Sequence, residues 1–237
     1  LKKTIHFQIL TINDMILTND DGFQAPGIQA LQTAVNQKGI IIAPETELSG
    51  CGHQVTTKRG LKLQKHSEQV YSVDGTPADC VRIALTQLFT DAEWVISGIN
   101  AGGNLGADVY ISGTVAAVRE AVFLGKKGIA ISHWRKRPLE IDWTLAARLS
   151  AKVLETLLPK PLPSNCYWNV NLPHLEPGCE EADIVFCEGG TQPLPVNYYF
   201  DGERYYYQGE YGKRQRPAGS DVDVCFSGNI AVSQLRL

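Results

Sequence analysis

The chain alternates short apolar runs with longer stretches of helical periodicity. Met15–Thr18 is apolar and stops at Asn19-Asp20-Asp21-Gly22, after which Ile28, Leu31 and Val35 mark one face of a helix opened by Pro26. Residues 39–44 (GIIIAP) form a fully apolar second strand, the kind a parallel sheet covers on both faces, and run into a polar loop over residues 45–53. A β-rich excursion follows over residues 54–73, with Leu61 and Leu63, then Val70 and Val73. Thr76-Pro77-Ala78-Asp79 reads as a helix cap, a proline in the first turn and an acid beside it, and opens a helix to about Phe89. Asp74 and Asp79 are read as turn and cap residues.

Residues 94–97 give a third core strand. A glycine-rich loop over 98–113 leads into a helix at about 114–124, closed by Gly125, and residues 128–132 form a fourth strand. A helix over 145–158 and a strand over 168–172 continue the alternation. From Pro173 the composition turns to Pro, Tyr and Gly with little helical pattern, and Tyr198, Tyr199, Tyr205, Tyr206, Tyr207 and Tyr211 suggest a β-hairpin arm. Such an arm packs either on a sister subunit or on its own core. The whole predicts an α/β fold: a Rossmann-like, doubly wound, mostly parallel sheet with a C-terminal β-hairpin arm. Residues 15–237 read as one domain, with a core over about 15–172 and the arm and last strands over about 173–237. Residues 1–14, which precede the only methionine, Met15, read as an N-terminal leader outside the fold, either a mis-set start or an added segment.

Composition narrows the function classes. The 237 residues suffice for one full core, and 22 basic against 25 acidic residues leave a net charge of −3 without a long Lys/Arg run. A nucleic-acid polymer is therefore not an expected partner. No uninterrupted apolar run approaches the roughly 18 residues of a membrane span, and no signal peptide is evident, so a soluble cytoplasmic protein with no membrane partner is expected. The six cysteines include no C-x-x-C pair and are read as free thiols of a reducing compartment. The five histidines lack i, i+4 pairing, which disfavours zinc.

In open α/β sheets ligands gather outside the carboxyl ends of the strands, which directs attention to residues 19–22, 49–53 and 97–114. Asp20 and Asp21 are adjacent carboxylates at a strand end and repel each other unless a cation or strong donors compensate them. Oxygen ligands of that kind favour Mg²⁺, Mn²⁺ or Ca²⁺, and Asn100 and the Ser49 hydroxyl complete such a shell. The competing reading of the Asp pair is a turn and capping device. Ser112, Gly113 and Thr114 open a helix whose N–H groups and dipole suit a phosphate, or else serve as a plain cap. A hard cation facing an anion site polarises a phosphoryl oxygen and supplies an attacking water. His53 is placed either on a substrate phosphate or in a satisfied loop position. The chain contains no G-x-x-x-x-G-K-[ST], no complete dinucleotide fingerprint and no G-x-S-x-G elbow.

Four separated stretches resemble the SurE (survival protein E) nucleotidases. They are Leu17-Thr18-Asn19-Asp20-Asp21-Gly22 with Ala25-Pro26-Gly27-Ile28; Ala43-Pro44 with Ser49-Gly50-Cys51-Gly52-His53; Gly75-Thr76-Pro77-Ala78-Asp79-Cys80; and Ser97-Gly98-Ile99-Asn100 through Asn104-Leu105-Gly106 to Ser112-Gly113-Thr114-Val115. The later strands, about 168–173 and 228–235, are similar as well. The chain departs from the family's usual pattern in residues 1–14 and in ending at Leu237, where many relatives continue into a helix.

The resemblance implies metal ligation by Asp20, Asp21, Ser49 and Asn100, with Asp20 and Asp21 catalytic and one Mg²⁺ or Mn²⁺ per subunit. It places Asn104, Ser112, Gly113 and Thr114 toward the phosphate. It also implies a cytoplasmic homodimer or homotetramer joined through the C-terminal arm. The expected reaction is hydrolysis of nucleoside 5′-monophosphates, extending to 3′-monophosphates and short polyphosphate. Two alternatives stand beside it: an aspartyl-phosphate route, and a non-catalytic nucleotide sensor using the same pocket.

Overall fold

The computed structural model describes residues 11–136, 138–176 and 178–237. Of residues 1–14, expected to form a leader, residues 1–10 lie outside the described residues, and residues 12–14 form a 3₁₀ turn leading into the first strand. Eleven strands are present among the described residues: β1 (Met15–Thr18), β2 (Ile40–Pro44), β3 (Leu63–Lys65), β4 (Val70–Val73), β5 (Trp94–Asn100), β6 (Lys127–His133), β7 (Cys166–Leu172), β8 (Ile184–Phe186), β9 (Tyr198–Phe200), β10 (Tyr205–Tyr207) and β11 (Ile230–Arg236). The helices are α1 (Pro26–Ala34), α2 (Pro77–Ile83), α3 (Gly113–Phe123), α4 (Trp143–Leu157) and α5 (Asp221–Phe226).

Nine strands form one sheet in the order β3-β4-β2-β1-β5-β6-β7-β11-β8, and β9 and β10 form a separate hairpin. The sheet is parallel except where β3 meets β4 and β7 meets β11. Strand alternation explains why both faces are covered: Met15 and Leu17 point into a core shared with Ile28 and Leu31 of α1 and Leu149 and Val153 of α4. Ile16 points the other way, to Cys80 and Val81 of α2 and Ala117 and Ala121 of α3. The result is a doubly wound α/β layer structure.

The chain leaves β1 toward β2 and β4, then returns to place β5 on the other side of β1, with Leu17 opposite Ile41 on one side and Ile96 on the other. The sheet therefore changes winding direction between β1 and β5. A crevice opens at the carboxyl ends of strands at such a point.

The structure departs from the sequence expectation in three places. Within residues 54–73 only β3 and β4 are strands. The helix opened by Thr76 ends at Ile83 and continues as a π-type turn, Ala84–Leu88. Beyond Pro173 the chain contains the short helix α5, capped by the Ser220 hydroxyl, and β8, neither of which is long enough to display a period. All six cysteines are unpaired, with Cys80, Cys166 and Cys225 buried.

Candidate active site at the β1–β5 switch point

Asn19 is fully buried and shapes the turn after β1: its amide donates to the Gly22 carbonyl at 2.8 Å, and the Gly22 N–H donates back to its Oδ1 at 3.2 Å. This Asx-type clamp presents the next two residues, Asp20 and Asp21, at the crevice. Asp20 is 4% exposed, and its Oδ1 accepts the Thr114 hydroxyl proton at 2.5 Å. Its main-chain carbonyl accepts from the Leu48 N–H at 2.8 Å, which fastens the loop after β2 to the site. Asp21 Oδ2 accepts from the Ala101 N–H at 3.3 Å, just past the end of β5.

Burial pushes the Asp20 carboxyl above its ordinary range, against the opposing Thr114 hydrogen bond. Burial and then the neighbouring charge of Asp20 raise Asp21 to about 6. No Lys, Arg or His pairs with either carboxylate among the described residues.

Asn100 ends β5, and its amide nitrogen donates to the Gly102 carbonyl at 2.7 Å, leaving the amide oxygen as the free acceptor. Ser49 sits on the exposed loop after β2, where its hydroxyl donates to Glu47 at 2.8 Å. Ser112 caps α3 by accepting from the Val115 N–H at 3.1 Å. Gly113 is needed for close approach: a Cβ there would lie 2.9 Å from Asp20 Oδ2 and 2.9 Å from Cys51 Sγ. Thus the start of α3 lies directly against the Asp20 carboxylate, while the Thr114 hydroxyl is committed to it.

Two other residues have their partners elsewhere. Asn104 is buried, donates to the Ser132 hydroxyl at 2.7 Å, and joins Asn169 and Asn171 through its main chain. His53 faces down the flank of α3, its Nε2 2.8 Å from Glu120 Oε2, with Glu120 also bound by Arg82 Nε at 2.6 Å. The histidine is in the satisfied position. Asp79 is the helix cap its spacing predicts: burial opposes its ionisation, but bonds from Thr56 and Thr76 outweigh that and hold its carboxyl low.

The segment after β6 is not among the loops that the sequence singles out. Trp134, Arg135 and Lys136 follow a strand's carboxyl end just as the inspected loops do, and they face the glycine-rich loop across a cavity of about 590 Å³. Their position after a core strand was the available signal. Also unforeseen is the tie between Arg214 and Asp108, whose side-chain atoms lie 2.5 Å apart in the interior.

Residues 15–192 match the family model described as survival protein SurE. A relative from Nostoc sp., named provisionally as a 5′-nucleotidase, is 60% identical over 94% of this chain and 99% of its own. A Geotalea daltonii protein named 5′-nucleotidase SurE is 36% identical over 94% of this chain and 92% of its own. The crystal structure of the SurE protein from Aquifex aeolicus superimposes with a TM-score of 0.83 at 32% identity, covering 94% of this chain and 92% of that one. Family model, sequence and fold agree, and the chain belongs to the SurE family.

Proposed function

We propose that the protein is a metal-dependent 5′-nucleotidase that hydrolyses nucleoside 5′-monophosphates, with activity extending to 3′-monophosphates and short polyphosphate. The observation that carries this reading is the pairing of Asp20 and Asp21 at the switch point, with the start of α3 against Asp20. The names of relatives at 60% and 36% identity support the substrate class.

The donor set fits a hard divalent cation, Mg²⁺ or Mn²⁺. Two adjacent carboxylates without a basic partner among the described residues, beside an amide whose oxygen is left free, form an all-oxygen set. Among the described residues no group of three or more His, Cys, Asp and Glu offers a competing site. Asp20, Asp21, Asn100 and Ser49 would hold the ion. When bound, it supplies Lewis-acid polarisation of a phosphate oxygen and lowers the pKa of water.

The chain's own residues do the rest. Thr114 fixes the Asp20 carboxylate by its hydroxyl, the turn clamped by Asn19 holds both aspartates at the strand end, and Ala101 orients Asp21. The first turn of α3, entered through Gly113, presents N–H groups and the positive end of the helix dipole to the substrate's phosphate. Because these dipoles are fixed before substrate arrives, they stabilise developing charge with little reorganisation.

No helix among the described residues is long and apolar enough to cross a membrane. The hairpin of β9 and β10 supports a homodimer or homotetramer: Tyr198, Tyr199, Phe200, Tyr205, Tyr206 and Tyr207 are all exposed, by 47–72%. The reading is tested by phosphate release from a panel of 5′- and 3′-nucleoside monophosphates with Mg²⁺ or Mn²⁺ and an EDTA control. Metal-dependent release is expected. Nucleotide binding without product would instead indicate a sensor.

A further inference from the structure

A cavity of about 590 Å³ borders the loop that holds Asp21 and has no role in the phosphate chemistry. One wall is residues 101–103 of the glycine-rich loop, whose Ala101 N–H is the group that holds Asp21. The opposite walls are Trp134, Arg135 and Lys136 after β6, and the segment 209–212. The Tyr211 hydroxyl ties these walls together, sharing its one proton between Asp108 Oδ2 at 2.9 Å and the Gly103 carbonyl at 3.1 Å, and Arg214 adds bonds to Asp108 and to the Leu105 carbonyl. Trp134 is held by stacking on Phe226, with ring centroids 4.1 Å apart. The cavity is thus pre-formed, as specific small-molecule sites usually are.

Its chemistry suits a flat, neutral, hydrogen-bonding group. Arg135 is ion-paired with Glu140 at 2.8 Å, Lys136 is paired with Glu176, and Glu210 also lines the space, so the wall has little surplus positive charge for a second phosphate. We propose that this cavity receives the nucleoside of the substrate, with Trp134 as the base-contacting ring. The inference rests on the nucleotidase reading and adds its specificity site. A second cavity, about 320 Å³ and lined by residues including Glu45, Thr46, Arg59 and Asp74, lies along the loop after β2 and contains no aromatic ring.

The test compares AMP with ribose 5-phosphate, which lacks the base. Trp134→Ala should raise KM for AMP about tenfold while leaving kcat/KM for ribose 5-phosphate within about twofold, the scale of one lost base–aromatic contact. Trp134→Phe should restore most of the AMP affinity. Should Trp134→Ala fail to fold, Trp134→Leu bears the same comparison and the same expectation. An unchanged KM for AMP, or equal losses on both substrates, overturns the nucleoside site. So does a rise in KM for AMP from Arg59→Ala alone, which puts the base in the other cavity. Wild-type protein that releases phosphate from neither substrate overturns the nucleotidase reading itself, and this proposal with it.

Discussion

The Thr114 hydroxyl donates to Asp20 Oδ1 at 2.5 Å, joining the first turn of α3 to the end of β1 across 94 residues of sequence. The bond is buried, and its acceptor is one of two carboxylates proposed to hold a cation. Partners that orient a ligand commonly matter to metal affinity by about 10–100-fold. Thr114→Val, which keeps the shape and removes the donor, should weaken Mn²⁺ binding by about that factor in a calorimetric titration, and Thr114→Ser should recover it. Equal Mn²⁺ affinity in Thr114→Val would show that the hydroxyl does not orient Asp20.

The His53 ring nitrogen lies 2.8 Å from Glu120 on the flank of α3, and the ring also approaches Phe123 at 5.9 Å. Those contacts assign it to structure. His53→Ala should leave AMP turnover within about threefold of wild type and lower unfolding free energy by roughly 1–3 kcal/mol, the usual range for a buried group that loses a partner. Steady-state kinetics and urea denaturation on the same preparation check both halves. A hundredfold loss of turnover in a folded variant would place His53 in the chemistry.

His133, at the end of β6, is buried; that burial pushes its pKa down to about 4, and His174 adds to the effect while Asp142 opposes it. With His133, Glu140 and Glu176 line a separate cavity of about 310 Å³. Unfolded, a histidine titrates near 6.5. Between those values the unfolded chain binds a proton that the native chain refuses, so native stability falls as pH drops from about 6.5 toward 4. The contribution is on the order of 3 kcal/mol over that window. His133→Gln should therefore flatten the dependence of urea midpoint on pH between 7 and 5, beside a wild type that retains it. Parallel profiles would contradict the assignment.

Local signals carried much of this molecule. Met15–Thr18 ends at Asn19-Asp20-Asp21-Gly22 because the strand needs apolar side chains on two faces and its exit needs a turn, and both demands are written in adjacent residues. Ser112 capping α3 and the reciprocal Thr76–Asp79 pair capping α2 are legible for the same reason, since donor and acceptor are three residues apart. What stayed hidden depends on distant pairs. Arg214 reaches Asp108 across 106 residues, which no local pattern announces, and it fixes the segment that walls the cavity beside Asp21. Thr114, readable as a phosphate-binding residue, has its hydroxyl on Asp20. Asn104 lies in an interior amide network whose partners on β7 are more than sixty residues away. The helix α5 is six residues long, too short for periodicity to reveal.

The central claim is that Asp20 and Asp21 hold the cation through which phosphate is released. Its most direct test is phosphate release from AMP, with Mg²⁺ or Mn²⁺ supplied, by wild type and by Asp20→Asn protein shown to be folded by circular dichroism. The account predicts activity abolished by EDTA in the wild type and a loss of roughly 100-fold or more in Asp20→Asn. Near-normal turnover in folded, metal-supplied Asp20→Asn protein would contradict it.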